Sequence, residues 1–343
     1  MRKLLGCLIA LLLLAGNLWA QPPQLVEAAK FFMDEVPFEM TITSDLKNLQ
    51  LKKMQKQYQP ATVTIRLPDS TVITEQVRIQ TRGKFRLENC NMPPIGMNFK
   101  NESSPRLQSL GKLKLVCGCG SSNEDEQLII KEYLAYKIYN MLTEKSFRVR
   151  LVKITYDDTK GKVKKYSQYG FLLEDVDAMA ARNKCVEVEG KQYLTEATNR
   201  KQMTMVAMFE YMIGNLDWSV PNYHNIKLMR TESDPNSTPI AVPYDLNHCG
   251  LVDASYAAPP EELELKSVRE RKYRGFPRSI EEHEEAAAIF KAKKEDVLNL
   301  INNCQWLSSK YKKDLTSYLG EFYKVIESKN LIKREFIDGA RTQ

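Results

Sequence analysis

Hydrophobic and polar residues alternate in short runs between residues 61 and 173, and Pro, Gly and Asp separate the runs. An alternation with a period of two is typical of β-strands that bury one face. The runs predicted as strands are ATVTIRL, EQVRIQTRG, MNFK, KLKLV, RVRLVKITYDD and YGFLLED. One segment among them, NEDEQLIIKEYLAYKIYNML, spaces its apolar residues as a helix does. The pattern between residues 61 and 173 therefore predicts a strand-rich unit that contains one helix.

Helical periodicity dominates after Leu194. The predicted helices are NRKQMTMVAMFEYMIG, EEHEEAAAIFKAKKEDVLNLINN and KKDLTSYLGEFYKVIES. Between the first two lie the apolar runs NIKLM and IAVPYDLN, and the polar segment RTESDPNSTP joins them as a strand hairpin would. The pattern therefore predicts an α+β protein with a strand-rich first lobe and a helical second lobe.

The N-terminus has the features of a secretory signal peptide. Arg2 and Lys3 precede an apolar run from Leu4 to Ala15, and the small residue Ala20 lies just before QPPQ. The run is shorter than the roughly 20 apolar residues that a membrane helix needs, and no later segment approaches that length. We expect residues 1–20 to be removed and the protein to be exported to the periplasm or the extracellular space without stable membrane insertion.

The formal net charge is +7, and loss of Arg2 and Lys3 with the leader would leave about +5. These charges are spread along the chain in segments of mixed sign. A nucleic-acid-binding protein concentrates Lys and Arg on one face with aromatic residues between them, and the sequence has no such block. Nucleic acid is therefore not an expected partner.

Six cysteines follow the predicted leader, namely Cys90, Cys117, Cys119, Cys185, Cys249 and Cys304. An even number of cysteines in an exported chain favours disulfide bonds. Zinc is a poor alternative, because Cys117 and Cys119 have one residue between them and no matching Cys or His pair follows. The chain also lacks a GxSxG motif, so nucleophilic hydrolysis is not indicated.

The stretch YMIGNLDWSVPNYHNIKLM, residues 211–229, places Asp217, Asn222 and Asn225 between two apolar runs. Gly214 is a natural end for the preceding helix, and Asp245 follows the second strand of the predicted hairpin. Phosphoryl transfer needs one carboxylate to orient the attacking hydroxyl, and an amide oxygen with a second carboxylate to hold metal ions. The order of these residues is the one that kinases use.

The motifs QTRGK, KLKLV, YGFLLEDVD, GNLDW with HNIKLM, and VPYDLNHCG together resemble the CotH kinase-like family of secreted, spore-coat-type atypical protein kinases. The resemblance extends from about Thr81 to about Gly250. It implies a two-lobed protein-kinase-like fold, with ATP and Mg or Mn as cofactors. It also implies transfer of phosphate to Ser or Thr of a secreted or envelope protein.

The resemblance assigns roles in the second lobe. Asp217 would be the catalytic base, and Asp245 and Asn225 would bind metal. Asn222 is the alternative metal ligand, since it lies five residues after Asp217, as in the usual kinase catalytic loop. Asn225 is preferred because it immediately precedes a strand that fixes its direction. The competing interpretation is that Asp217 and the asparagines only cap turns.

In the first lobe, Lys112 and Lys114 alternate with leucines, so one face of their strand is basic. We predict that Lys114 contacts phosphate and that Glu132 is its helix partner. Glu124, Asp125 and Glu126 compete with Glu132, although they are better explained by their position at a helix N-terminus.

A glycine-rich phosphate loop is absent. Arg82 and Lys84 flank Gly83 in an Arg-Gly turn and could contact phosphate in its place, or they could be ordinary surface charges. Glu174 of YGFLLEDVD completes the set of candidate nucleotide-binding residues.

A disulfide between Cys90 and Cys119 would join the Arg-Gly turn to the lysine strand around the predicted phosphate site. Cys117 is the alternative partner for Cys90, and a bond between Cys249 and Cys304 is a further prediction for the second lobe.

The predicted organisation is a signal peptide at 1–20, an N-terminal extension at 21–60, a kinase-like N-lobe at 61–176 and a helical C-lobe at 177–343. The predicted function is that of an exported kinase that uses ATP. Two alternatives remain open: a catalytically inactive pseudokinase that serves as a binding module, and an enzyme that phosphorylates a sugar or another small molecule.

Overall fold

The computed structural model describes residues 27–100, 104–120 and 122–341. The predicted signal peptide, residues 1–20, lies outside the described residues. None of the helices in these three ranges is long and apolar enough to cross a bilayer.

Seven strands form a closed barrel in the order β1-β2-β3-β4-β5-β7-β6. Neighbouring strands are antiparallel except β1 and β6, which are parallel and pair Phe38 with Val152 and Ser44 with Asp158. The strands are β1 (Phe38–Ser44), β2 (Gln59–Arg66), β3 (Val72–Thr81), β4 (Ile95–Asn98), β5 (Lys112–Cys117), β6 (Val149–Asp158) and β7 (Tyr166–Leu173).

The prediction of a two-lobed protein-kinase-like fold is wrong, because the strand-rich part closes into this mixed seven-stranded barrel. The physical reason is β1, which lies before the position at which the predicted N-lobe begins. Its sequence FEMTITS alternates buried and partly exposed side chains, so it pairs with β2 on one side and with β6 on the other. Without β1, the edges of β2 and β6 would lack a partner.

The predicted N-lobe was expected to hold one helix, which is α4 (Asn123–Leu142), and its described residues also hold the short helix α3 (Phe85–Asn89). Two further short helices, α1 (Ala28–Met33) and α2 (Leu46–Leu51), lie in the predicted N-terminal extension. The six predicted strands also form, as β2 to β7.

Apolar side chains fill the barrel, and helix α2 closes one of its ends. Leu46 and Leu49 of α2 join the same buried cluster as the inward-facing residues of the strands. A hydrogen bond from the N–H of Leu46 to Oδ1 of Asp158 (2.8 Å) holds the start of the helix, and one from Oγ1 of Thr81 to the carbonyl of Lys53 (2.5 Å) holds the turn that follows it. Inward-facing residues that are at most 1% exposed include Ile42, Val63, Ile79, Leu115, Ile154 and Leu172.

Helix α4 packs on the outside of the barrel and connects it to the second half of the chain. The rings of Tyr133 and Tyr136 lie 6.2 and 5.7 Å from that of Phe171 on β7. One turn further along the helix, the ring of Tyr139 lies 4.5 Å from that of Phe209 in the second half of the chain. Helix α4 is therefore buried between the two halves, and 12 of its 20 residues are buried.

The second half contains a three-stranded antiparallel sheet in the order β10-β9-β8. Its strands are β8 (Cys185–Glu187), β9 (Ile226–Thr231) and β10 (Ile240–Pro243). The helices are α5 (Val176–Arg182), α6 (Arg200–Ile213), α7 (Ile280–Ala292), α8 (Lys294–Asn302), α9 (Ser309–Ile326) and α10 (Lys329–Ile332). Every residue of α6 from Gln202 to Ile213 is buried, so α6 forms the centre of this half.

The predicted disulfide between Cys90 and Cys119 is confirmed, with a Cα–Cα distance of 4.6 Å. Cys117, its alternative partner, is a free buried thiol. Cys249 and Cys304 are also free, so the predicted bond between them is wrong. The bridge joins the end of α3 to the residue two positions after β5, and it holds α3 against the barrel.

We expect the double variant Cys90→Ala, Cys119→Ala to lose about 3 kcal/mol of unfolding free energy, because the bridge closes a loop in the unfolded chain. Urea unfolding with and without reductant measures this loss. Reductant should weaken the wild type to the level of the variant and leave the variant unchanged. Equal stability of the oxidised wild type and the variant would contradict the expectation.

Candidate functional site

A cleft of about 560 Å³ lies between the barrel and the second half of the chain. The barrel side contributes the turn from Arg82 to Arg86. The other side contributes Asp217, Asn225 and Asp245, which come from the loops around α6, β9 and β10. The cleft therefore collects basic groups from one half of the protein and acidic and amide groups from the other.

The Asp217 loop begins at Gly214, which ends α6 in the left-handed conformation with φ +66°. A Cβ atom on Gly214 would lie 2.1 Å from the hydroxyl of Tyr318, so the position needs glycine for both its backbone and its space. Asn215 then turns the chain, and its Oδ1 accepts a hydrogen bond from the N–H of Asp217 (3.0 Å).

The Asp217 carboxylate is held by two neighbours. Its Oδ1 lies 2.6 Å from Nε2 of His224, and its Oδ2 accepts a 3.0 Å hydrogen bond from Nδ2 of Asn225. Paired backbone hydrogen bonds between Ser219 and His224 fold the loop back on itself and bring His224 into reach. Asp217 keeps 34% of its side-chain surface exposed, so the carboxylate is oriented and still accessible.

The β9–β10 hairpin brings Asn225 and Asp245 together. Ile226 pairs with Pro243, and the N–H of Tyr244 donates to the carbonyl of Asn225 (3.0 Å), so the residues just outside both strands are adjacent. Both Asn225 and Asp245 have left-handed backbones, with φ +51° and +54°. Asn and Asp tolerate this conformation better than other non-glycine residues, and such strain clusters at functional sites.

Helix α4 holds the backbone of Asp245, because the hydroxyl of Tyr136 accepts a hydrogen bond from the N–H of Asp245 (2.8 Å). Asn222, the alternative metal ligand, is exposed and does not line the cleft. Of the two asparagines, the structure brings Asn225 to the other candidate residues.

A buried ion pair forms the floor of the cleft. Nη2 of Arg86 lies 2.9 Å from Oε2 of Glu132, and the two side chains are 11% and 2% exposed. Nη2 of Arg86 also donates to the hydroxyl of Tyr256 (3.1 Å). Burial raises the pKa of Glu132, the Arg86 charge lowers it, and the Asp245 charge adds to the rise. Each of the two residues is the other's charge partner in a site shielded from water.

Lys114 does not meet Glu132. Its Nζ donates to the hydroxyl of Tyr244 (2.7 Å) and lies 4.4 Å from the centre of the Tyr244 ring. Arg86 occupies the position beside Glu132 that we predicted for Lys114.

Glu174 lies away from the cleft lining and has a structural role. Its carboxylate receives hydrogen bonds from Nε and Nη2 of Arg182 and from the backbone N–H of Arg148.

Arg82 and Lys84 both line the cleft. The backbone N–H of Arg82 donates to the carbonyl of Pro94, which fixes the turn against the barrel. Lys84 is exposed, and Nε of Arg82 is buried without a hydrogen-bond partner among the described residues. Both cations are therefore available to an anion in the cleft.

Sequence reasoning missed Arg86, Tyr136 and Tyr256. Arg86 lies only two residues after Lys84, and its position beside the apolar Leu87 in a short helix was the available signal. The tyrosines carried no signal, since aromatic residues in a helix or a loop more often fill a core.

No group of three or more His, Cys, Asp or Glu side chains within residues 27–341, as far as they are described, is arranged as a metal site. Mg²⁺ commonly binds to one or two protein oxygens together with substrate phosphates. The Asp245 carboxylate has no hydrogen-bond partner among the described residues, and Nδ2 of Asn225 faces Asp217, which leaves its Oδ1 for a cation. The two side chains therefore fit a cation that arrives with a nucleotide.

No protein-family model matches the chain, and no curated protein is significantly similar to it. The geometry of the cleft is therefore the basis for any assignment of function.

We expect Glu132→Ala to lower the free energy of unfolding by about 3–5 kcal/mol, since it leaves the buried Arg86 charge without a partner. Glu39→Ala is the matched control, because Glu39 pairs with Arg66 at the exposed barrel surface (3.9 Å) and should cost under about 0.5 kcal/mol. Urea denaturation of both variants measures the two losses of unfolding free energy. Similar losses in the two variants would contradict a buried ion pair.

Proposed function

We propose that this protein is an exported ATP-dependent phosphotransferase that modifies a hydroxyl group of a secreted or envelope protein. The observation that supports the proposal is the convergence of Asp217, Asn225 and Asp245 in one cleft with the cations of Arg82 and Lys84. This combination offers a base, oxygen ligands for a divalent cation and positive charge for phosphate, which are the groups that phosphoryl transfer uses. Export is supported by the leader-like N-terminus and by the Cys90–Cys119 disulfide.

Asp217 is the proposed base. In the reaction, the acceptor hydroxyl oxygen forms a bond to the γ-phosphorus of ATP as the bond from that phosphorus to the β,γ-bridging oxygen breaks. ADP leaves, and Asp217 takes the hydroxyl proton. The contacts with His224 and Asn225 orient the carboxylate before the acceptor arrives.

Asp245 and Asn225 are the proposed ligands of Mg or Mn. The cation, when bound, would neutralise charge on the nucleotide phosphates. The hairpin fixes both residues through backbone hydrogen bonds, so their spacing does not depend on flexible side chains.

Arg82 and Lys84 are the proposed phosphate-binding cations. Arg86 is less suited to this role, because Glu132 already compensates its charge. Arg86 instead anchors α3, and thereby places Arg82 and Lys84 at the cleft.

One observation favours a second candidate, a nucleotide-binding module without catalysis. Both carboxylate oxygens of Asp217 already have partners, and Lys114 is engaged by Tyr244. An acceptor hydroxyl must displace one of the contacts of Asp217 or share an oxygen with it. The two candidates differ in turnover and not in ATP binding.

We expect Asp217→Asn to reduce the rate of phosphate transfer by about 10²- to 10⁴-fold while ATP affinity stays about unchanged, because the amide cannot accept the hydroxyl proton. Isothermal titration with ATP and Mn, and transfer assays with casein-like proteins and simple sugars, use the same preparation. Asn222→Ala is the control in the same loop, and it should retain both properties. Wild-type turnover by Asp217→Asn would refute the base assignment, and absence of turnover in the wild type would favour the binding module.

We expect Asp245→Asn to weaken the Mn-dependent part of ATP binding by at least about tenfold, since a neutral amide replaces a carboxylate ligand. Asn tolerates the left-handed backbone at this position, so the thermal unfolding midpoint should change little. Asp253→Asn is the control, because Asp253 also has a positive φ (+52°) and does not line the cleft. Equal Mn dependence in both variants would refute the ligand assignment.

A further inference from the structure

Two lysine-rich segments that are far apart in the sequence meet at one end of the barrel. The first, residues 45–56, contains α2 and the turn after it, and the second, residues 157–165, contains the end of β6 and its connection to β7. Together they hold eight lysines and three aspartates, which gives a net charge of +5. The whole chain without its leader is expected to carry about the same charge. The fold therefore gathers at one place positive charge that is divided between two segments of the sequence.

The carboxylate of Asp158 joins the two segments. Its Oδ1 accepts a hydrogen bond from the N–H of Leu46 at the start of α2 (2.8 Å), and its Oδ2 accepts one from the N–H of Lys162 after β6 (2.6 Å). A groove of about 400 Å³ is lined by Asn48 of the first segment and by Lys160 of the second. The two segments therefore form one continuous surface, which we call the lysine surface.

Most lysines of the lysine surface have no acidic partner. Lys165 pairs with Asp157 (2.9 Å), and Nζ of Lys53 donates to two backbone carbonyls at the end of α3. Asp45 is engaged as the N-cap of α2, where its side chain accepts the N–H of Asn48. The other six lysines are exposed or half-buried and form no ion pair among the described residues: Lys47, Lys52, Lys56, Lys160, Lys162 and Lys164.

Two large apolar side chains are exposed among these lysines. Leu51 at the end of α2 is 73% exposed, and Met54 in the following turn is 60% exposed. The turn is held from both sides of Lys53, because the Lys53 carbonyl accepts a hydrogen bond from Oγ1 of Thr81 (2.5 Å) and the Lys53 side chain is bound to α3. The fold thus fixes the turn while both apolar side chains remain in solvent, as is typical of an interaction site.

We propose that the lysine surface docks on a phospholipid bilayer with anionic headgroups, and that Leu51 and Met54 insert among those headgroups. Lysines near an anionic bilayer are attracted to it without a fixed contact geometry, which suits six cations spread over two segments. Apolar side chains beside them add burial at the interface. The protein lies on the bilayer and does not span it. This docking needs neither ATP nor phosphate transfer, so it does not rest on the proposed function.

The composition of the lysine surface favours lipid over an acidic protein or a nucleic acid. Recognition of those partners uses the planar fork of arginine and aromatic rings, which match individual carboxylates, phosphates and bases. Residues 45–56 and 157–165 contain no arginine and no aromatic residue. A bilayer presents a diffuse negative charge and accepts exposed apolar side chains, so it matches both features of the surface.

Sedimentation with vesicles tests the docking, with the mature chain used so that residues 1–20 do not contribute. We expect binding to phosphatidylcholine vesicles that contain about one third phosphatidylglycerol, and at least about tenfold weaker binding to phosphatidylcholine alone. The combined variant Lys52→Gln, Lys162→Gln, Lys164→Gln should weaken binding to the anionic vesicles at least about tenfold. Absence of wild-type binding to the anionic vesicles would overturn the proposal.

The matched control makes the same change of net charge at exposed lysines of the second half of the chain. It is the combined variant Lys313→Gln, Lys324→Gln, Lys333→Gln. Its binding to the anionic vesicles should stay within about twofold of the wild type, since these lysines lie away from the lysine surface. An equal loss of binding in the two triple variants would show that net charge alone matters, and it would overturn the proposal.

A second pair of variants tests the insertion of apolar side chains. Leu51→Gln, Met54→Gln should weaken vesicle binding at least about fivefold and remove the part that persists at high salt, where charge attraction is screened. The control is Leu194→Gln, Met33→Gln, because these side chains are 72% and 64% exposed elsewhere on the protein. Full vesicle binding by Leu51→Gln, Met54→Gln would overturn the proposal. Equally tight binding of the wild type to soluble polyglutamate would assign the surface to an acidic protein and overturn it likewise.

Hydrogen exchange of the wild type keeps the test decisive if a variant does not fold. The amides of residues 46–56 should gain protection when anionic vesicles are added, and should not change with phosphatidylcholine vesicles. Unchanged exchange in this segment while the protein is bound to anionic vesicles would overturn the proposal.

Discussion

The parallel pairing of β1 with β6 is the constraint on which the rest of the structure depends. It joins the first strand of the barrel to one more than a hundred residues later, and it removes the two edges that an open sheet would expose. Because β1 and β6 end at the same side of the barrel, Asp158 can receive the N–H of Leu46 and hold α2 over the opening. The barrel is then a rigid, filled support, and its outer face is available to α4.

Two connections fix the geometry of the cleft relative to the barrel. The Cys90–Cys119 bridge fixes the end of α3 to the chain after β5, and the Arg86–Glu132 pair fixes its middle to α4. Helix α4 also receives the N–H of Asp245 on Tyr136. One buried helix therefore positions the basic turn from the barrel and the acidic loop from the second half. A buried ion pair is costly to form, and this one fixes α3 to helix α4, which also contacts the loop that carries Asp245.

The sequence predicted local elements well and contacts between them less well. Strands β2 to β7 and helix α4 follow directly from periodicity, and the Asn225–Asp245 neighbourhood follows from the geometry of a hairpin. Strand β1 alternates buried and more exposed positions as a strand does, but it precedes residues 61–173, for which strands were predicted. Its pairing with β6 leaves no local trace in either segment, so the closed barrel could not be predicted from pattern alone.

The same limit applies to the candidate site. Lys114 lies on the expected face of β5, yet which residue meets Glu132 depends on how α3 folds across the barrel, and the answer is Arg86. Glu174 was assigned to a nucleotide from its place in a motif, whereas its carboxylate is occupied by Arg182. Glu210 is the single acidic residue of the stretch MFEYM, and an acidic residue in such an apolar helix indicates a buried carboxyl group. Burial and partner choice are properties of the packed structure, and residue type alone does not give them.

The carboxyl groups around the cleft explain how it would attract the proposed cation. Four carboxyl groups gather around the end of α6 and the hairpin: Glu132, Glu210, Asp217 and Asp245. If all four were ionised without partners, repulsion in a poorly solvated site would oppose folding. Glu132 is compensated by Arg86, and burial in α6 raises the pKa of Glu210 to about 8, which favours the neutral acid. Among the described residues, Asp217 and Asp245 form no salt bridge with a Lys or Arg side chain, and both line the cleft. This negative charge is thus concentrated in the cleft, where the proposed divalent ion and nucleotide would neutralise it.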